Sequence, residues 1–273
     1  MLASVLLSTS FLAQMFGLDG RVALVTGGGS GIGRALSEGL ACAGANVVIS
    51  GRRQDRLTAA AEEINAKVGR AACFTVQHDV SDLKSAQALI DKAASATGKP
   101  VTILVNNAGL NVRKPAEALT EEDWDVTLDT MLKAPFFLAR AAAPGMSVET
   151  YGRIINIASL QSKMAFPNSL PYAAAKSGLE GVTRGIAEAY SARHGYHGIT
   201  CNAVAPGYVS TELTAPVFAD APRADALAAR TLAGRNSVPD DLVGAVVFLA
   251  SPASAYVTAQ TMYVDGGFTA LGQ

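Results

Sequence analysis

Short runs of β-branched and apolar residues alternate along this chain with longer stretches whose apolar positions recur every three or four residues. "RVALVT" at 21–26 is the first run, and "IGRALSEGLACAGA", beyond a glycine cluster, has helical spacing and closes at Gly44. The rhythm continues as strand "NVVIS", helix "QDRLTAAAEEINAKV", strand "AACFTVQHDV", helix "DLKSAQALIDKAASAT" and strand "VTILVNN". Further on it predicts one helix through "EEDWDVTLDTMLKAPFFLARAAA", a strand "RIINIAS", a helix from Tyr172 to about Arg193 and a strand "GITCNAVA". A helix "DDLVGAVVFLAS" and a strand "TMYVDGG" complete the pattern. Strictly alternating strands and helices predict an α/β fold: one domain built on a doubly wound parallel β-sheet flanked by helices.

Between Gly207 and Arg235 the periodicity weakens and Pro216 and Pro222 interrupt it, which predicts a lid at about 207–235 made of loop or short helices. Residues 1–17 are apolar but lack a basic leading region and the length to span a bilayer, so they read as an extension ahead of a domain over 18–273. A degenerate targeting segment is the other reading. Nearly half of the 273 residues are hydrophobic and 16% are charged, enough to bury a large core in a soluble chain. The net charge of −1, with no run of Lys or Arg, argues against nucleic acid or an anionic membrane as partner. Cys42, Cys73 and Cys201 are odd in number and far apart, so no disulfide framework or zinc site is expected and a reducing, cytoplasmic compartment fits. His78, His194 and His197 have no ligand spacing, and no metal is expected.

Chemistry enters with "TGGGSGIG", where the first predicted strand meets the first predicted helix. Gly27 permits a tight turn, Gly31 lets a pyrophosphate approach the backbone, and Gly33 lets the helix sit close to the strand. Gly29, Ser30 and Ile32 fill the same turn, and the helix N-terminus faces the phosphates. No G-K-[ST] follows, which excludes a P-loop, and a glycine loop that is merely flexible is the remaining alternative. An acidic residue at the end of the second strand would bind an adenosine 2′-hydroxyl, but the chain reads "SGRR" there. Gly51 leaves room, and Arg52 with Arg53 offers planar forks for a 2′-phosphate. NADP(H) is therefore expected in preference to NAD(H), which remains possible; solvated arginines at a helix entry are the competing reading.

Ser159 ends the strand "RIINIAS", whose carboxyl end should open onto a ligand crevice. Tyr172 and Lys176 stand four apart and so rise from one helical face. With the glycine pattern, "NNAG" at 106–109, "HDV" at 78–80 and "PGYVST" at 206–211, these residues strongly resemble the short-chain dehydrogenase/reductase family from about Leu18 to Gly267. The resemblance implies a Rossmann-type fold and a nicotinamide-dependent interconversion of a carbonyl and an alcohol. It also implies roles. Ser159 would hold the substrate oxygen, Tyr172 would donate or accept the proton, and Lys176 would bind the nicotinamide ribose and keep Tyr172 near ionisation. Asp79 would contact the adenine, Asn106 and Gly109 would line the cofactor floor, and Pro206, Gly207 and Thr211 would embrace the carboxamide. Val80, Ala108 and Val209 complete the expected cofactor contacts. Physically, a cation ~5 Å from a phenol at an effective dielectric of ~20 contributes about 3 kcal/mol, roughly two pKa units. A core tyrosine with an exposed lysine one turn away is the competing reading.

One position departs from the family. Aligning "LKAPFF" with the usual "N-L-x-x-x-F" puts Met131 where many members carry an asparagine that positions a relay water. Methionine cannot replace a carboxamide's hydrogen bonds. Three readings follow: another group holds the water, catalysis is slowed or shifted in pH, or the chain is an impaired scaffold or sensor that keeps the dinucleotide. Segments "LNVRKPAE" and "LQSKMAFPNSLP", with the lid from Tyr208, mix Arg113, Gln161 and Asn168 with Met164, Phe166 and Leu213. They suggest a small polar carbonyl compound and look like members acting on keto sugar acids, tropinone-like ketones or 3-oxoacyl carriers. Arg113 could pair with a carboxylate, or be a solvated loop residue. The alanine-rich helices at 121–143 and 172–193 resemble those that pair subunits in the family, so a homotetramer is expected, with a dimer second.

Overall fold

The apolar runs of this computed structural model, which describes residues 10–271, become seven parallel strands. They are β1 Val22–Thr26, β2 Asn46–Gly51, β3 Cys73–Gln77, β4 Ile103–Asn106, β5 Gly152–Ile157, β6 Ile199–Pro206 and β7 Thr261–Val264. The order across the sheet is β3-β2-β1-β4-β5-β6-β7, and each neighbouring pair is parallel. Strand order reverses between β1 and β4, so their carboxyl ends diverge into connections on opposite faces and leave a crevice between them.

The connecting helices are α1 Gly31–Cys42, α2 Gln54–Val68, α3 Ala86–Thr97, α4 Glu121–Leu128, α5 Ala134–Val148, α6 Leu170–Ala189, α7 Ala215–Phe218, α8 Ala221–Ala229 and α9 Val243–Ala250. Successive strand residues point to opposite faces, and both faces are covered. On one side Val25, Ile49 and Val105 pack with Leu36 and Leu40 of α1, Ile64 of α2 and Leu249 of α9. On the other, Leu24, Val48 and Leu104 pack with Leu89 of α3, Leu138 and Met146 of α5, and Ile186 of α6. A Leu24→Ala change at this fully buried position would cost about 2–5 kcal/mol.

The helix predicted through 121–143 is broken by a π turn at Asp129–Lys133. Pro135 has no N–H for the Met131 carbonyl, and its ring would press on that oxygen, so the turn before it widens. The helix predicted to start at Tyr172 begins at Leu170, because Pro171 suits a first turn, and it ends at Ala189 with a short 3-10 turn at Ala192–His194. The strand predicted over 71–80 contracts to β3. Residues 207–235 form a 3-10 turn, α7 and α8 near the carboxyl edge of the sheet. Of the expected extension, residues 1–9 lie outside the described residues; 10–16 are helical and end at Gly17, whose amide donates to Ala13 O at 2.8 Å. Among the described residues no helix is long and apolar enough to cross a membrane.

Candidate active site

Gly27 and Gly31 adopt φ of 66° and 52°, the left-handed region that favours glycine, and this lets β1 turn sharply into α1. A Cβ on Gly33 would lie 2.2 Å from Gly27 O, so only glycine lets α1 start this close to the strand. Ser30 precedes the helix in extended conformation and, among the described residues, makes no capping bond through its side chain. The first amides of α1 are thus available to an anion. Thr26 Oγ1 accepts from the backbone N–H of Asn107 and of Ala108, each at 3.0 Å, which stitches the end of β1 to the end of β4.

A cleft of about 590 Å³ runs along this switch point. Gly27, Gly29, Ser30, Gly31, Ile32 and Gly33 form its middle. Arg52, Arg53, Asp79 and Val80 line one end, and Ser159, Tyr172 and Lys176 the other, with Ala108 and Gly109 between them. Both arginine side chains at the first end are exposed, and neither enters an ion pair among the described residues. Burial works against the Asp79 carboxylate, but hydrogen bonds from Ser81 Oγ at 2.8 Å and Ser81 N at 3.0 Å, with Arg52 nearby, hold its pKa below the usual range.

Ser159 caps the short turn after β5, and its Oγ accepts from Gln161 N at 3.1 Å. Its hydroxyl lies close enough to Tyr172 to lower the phenol's pKa. Lys176, one turn along α6, donates from Nζ to Ile157 O at 2.6 Å and lies 5.7 Å from the centre of the Tyr172 ring. Sequence, spacing and fold therefore bring the three side chains together. Their electrostatics differ from the expectation. Burial depresses the Lys176 pKa to about 8, and burial raises the Tyr172 phenol above its ordinary 10; the Ser159 hydroxyl and the Arg113 charge only oppose that rise. Desolvation therefore sets the direction of both shifts.

Pro206, Gly207, Val209 and Thr211 line the wall facing the glycine turn. A Cβ added to Gly31 would touch Thr211 Cβ at 3.4 Å, so this wall comes down onto the turn. Asn106 requires a correction: it is 4% exposed, does not line the cleft, and donates from Nδ2 to Asn156 Oδ1 at 2.8 Å. As the last residue of β4 it still points into the sheet layer, and Asn107, one residue beyond, takes the place at the cleft. The rule that ligands meet residues just past strand ends could have found it. Sequence reading also missed Arg56, Thr130 and Glu212 in the lining, and placed Met131 by its relay role alone. Met131 is 1% exposed, and a Cβ on Gly109 would meet its Sδ at 3.3 Å.

A family model described as enoyl-(acyl carrier protein) reductase, of the short-chain alcohol dehydrogenase type, matches residues 27–269. The chain is 41% identical to gluconate 5-dehydrogenase of Gluconobacter oxydans over 94% of its own length and 97% of that protein. It is 40% identical to 2-dehydro-3-deoxy-D-gluconate 5-dehydrogenase of Escherichia coli, covering 95% of this chain and 99% of the relative. The crystal structure of a gluconate 5-dehydrogenase from Burkholderia cenocepacia in complex with NADP and tartrate superposes with a TM-score of 0.87 at 40% identity, over 95% of this chain and 99% of that one. The glycine turn at a sheet switch point and the matches over nearly the whole length lead to one assignment: the chain belongs to the short-chain dehydrogenase/reductase family of NAD(P)-dependent oxidoreductases.

Proposed function

We propose that this protein is an NADP(H)-dependent dehydrogenase that interconverts the carbonyl and alcohol forms of a small sugar acid, with Ser159, Tyr172 and Lys176 as its catalytic residues. One observation carries the reading: a single cleft joins two guanidinium groups without an ion-pair partner among the described residues, a glycine turn with open helix amides, and the Ser159, Tyr172 and Lys176 cluster. The residues present fit a dinucleotide, since Gly31 carries no side chain where a pyrophosphate would approach and only glycine at 33 lets α1 start against Gly27 O. When bound, the nicotinamide supplies or accepts the hydride.

Ser159 Oγ can donate to a carbonyl oxygen, and Tyr172, beside Ser159, can pass its proton to the same oxygen. A phenol raised above its ordinary pKa stays protonated at neutral pH, which suits a proton donor in the reductive direction. Lys176, anchored on Ile157 O, keeps two further N–H donors for groups in the cleft.

The sugar-acid class is taken from what the relatives are named for and from Arg113. This guanidinium follows β4, acts on both Tyr172 and Tyr208, and has no ion-pair partner among the described residues, so it suits a substrate carboxylate. Residues 18–273 act as one domain, residues 207–235 as its lid, and copies assemble as a cytoplasmic homotetramer through α4, α5 and α6, where Phe136 is 38% exposed. No nucleic acid or membrane partner is needed. The scaffold reading is favoured by Met131 alone.

The test is consumption of NADPH and NADH with a panel of keto sugar acids, tropinone-like ketones and 3-oxoacyl thioesters, using native protein and Tyr172→Phe. NADPH should be consumed with a keto sugar acid, and Tyr172→Phe should be about 10²–10⁴-fold slower while titrating NADPH normally. Substantial turnover by Tyr172→Phe, or better efficiency with NADH, rejects the assignment. Light scattering checks the tetramer.

A further inference from the structure

Two walls of the dinucleotide cleft come from positions 156 residues apart, and one ion pair joins them. Arg56 Nη1 donates to Glu212 Oε1 at 2.6 Å and to Oε2 at 2.5 Å, and both residues line the cleft. Arg56 sits in the first turn of α2, three residues after Arg53, on the wall assigned to the adenosine end. Glu212 follows Thr211 on the opposite wall, where that wall meets Gly31. Neither group hangs on a loose segment. Thr214 Oγ1 accepts from Thr211 N at 2.9 Å and donates to Val209 O at 2.6 Å, which locks the turn that carries Glu212.

The pair is a poor candidate for a stabilising contact, because its side chains are 40% and 63% exposed and water screens them. Its position is what distinguishes it. It spans the same cleft that the Thr211–Gly31 approach narrows, so whatever lies along the glycine turn is overarched at two neighbouring points.

We propose that the Arg56–Glu212 pair is a clasp that closes over a bound dinucleotide and sets its rate of release. This rests on reading the cleft as the dinucleotide site. Leaving the cleft requires the turn at 209–214 to lift from α2, and that motion breaks the ion pair. The clasp acts on the rate of departure and does not require contact with the 2′-phosphate. Salt weakens it because it is exposed.

The experiment is stopped-flow displacement of NADPH, and in parallel NADH, followed by nucleotide fluorescence for native protein, Glu212→Gln, Arg56→Gln and the double variant. Glu212→Gln should release NADPH about two- to fivefold faster, the range of an exposed charge pair. The double variant should release it no faster than Arg56→Gln alone, and added salt should accelerate release from native protein more than from Glu212→Gln. An unchanged rate in Glu212→Gln, or effects that simply add in the double variant, overturns the clasp while leaving the dinucleotide site intact. A native protein that binds neither NADPH nor NADH overturns the site reading, and the clasp with it.

Discussion

Lys176 Nζ lies 2.6 Å from the carbonyl oxygen of Ile157, so the ammonium of α6 is held by the last residue of β5. This side chain is 4% exposed, and burial pushes its pKa from 10.5 down to about 8. An unfolded chain keeps this proton to about pH 10.5, whereas the folded chain loses it above about pH 8. The unfolded state therefore binds more protons between those values, and folding stability rises with pH across that window, by at most about 1.4 kcal/mol per pH unit for one proton. Urea unfolding of native protein and Lys176→Met at several pH values from 8 to 10 isolates the contribution, since every other titrating group is common to both. The native advantage should grow with pH; a constant difference would mean that Lys176 titrates normally.

Arg52 is exposed at the end of β2, with no ion pair among the described residues to compete for it. Arg52→Glu replaces a donor to a 2′-phosphate with a repelling carboxylate. NADPH affinity should fall about 10- to 100-fold, as expected for losing a charged hydrogen bond worth 1.5–3 kcal/mol. NADH, which lacks that phosphate, should change by less than about twofold. Fluorescence titration of both nucleotides measures this, and an equal loss for the two would remove Arg52 from cofactor selection.

Asn106 holds Asn156, and Asn156 Nδ2 in turn donates to Thr183 Oγ1 on α6 at 2.9 Å. That chain runs from β4 through β5 to the helix that carries Tyr172 and Lys176. Asn106→Ala should leave Asn156 Oδ1 buried without its donor and lower stability by about 1–3 kcal/mol. NADPH binding should change less than in Asn107→Ala, whose residue lines the cleft. Chemical denaturation beside nucleotide titration distinguishes the two; a stability-neutral Asn106→Ala that loses NADPH would restore Asn106 to the cofactor floor.

Met131 fills a nearly closed space against Gly109. Met131→Asn would bury a carboxamide without assured partners and should cost about 1–3 kcal/mol of stability. Turnover should stay within about threefold, a ΔΔG‡ below about 0.7 kcal/mol, as expected if another group holds the relay water. Steady-state kinetics with a keto sugar acid decides it. A severalfold acceleration would reveal a native chain held back by its methionine.

Most of the architecture was legible because strand and helix periods differ sharply, and "QDRLTAAAEEINAKV" matches α2 from end to end. The grouping of Ser159, Tyr172 and Lys176 was legible too, since a strand end and a four-residue helical spacing bring them to one place. Three features were not. The widened turn at 129–133 depends on a proline one turn ahead, which apolar spacing does not register. The exchange of Asn106 for Asn107 depends on where β4 stops, and strand ends are the least defined part of a sequence pattern. The Arg56–Glu212 contact joins distant positions that only the folded sheet brings face to face. Charge magnitudes were also out of reach, because the desolvation of Lys176 and Tyr172 is a property of the packed cleft.

The π turn at Asp129–Lys133 has one further meaning, which concerns length and not composition. Ahead of Pro135 the widened turn accommodates one extra residue while the segments before and after keep their own faces in contact. Removing one residue there would restore ordinary winding and leave α4 and α5 seated as they are, yet it would retract the bulge that turns Thr130 and Met131 toward the cleft. At this point in the chain a one-residue deletion would spare the seating of α4 and α5 while reshaping the wall of the cleft that Thr130 and Met131 line.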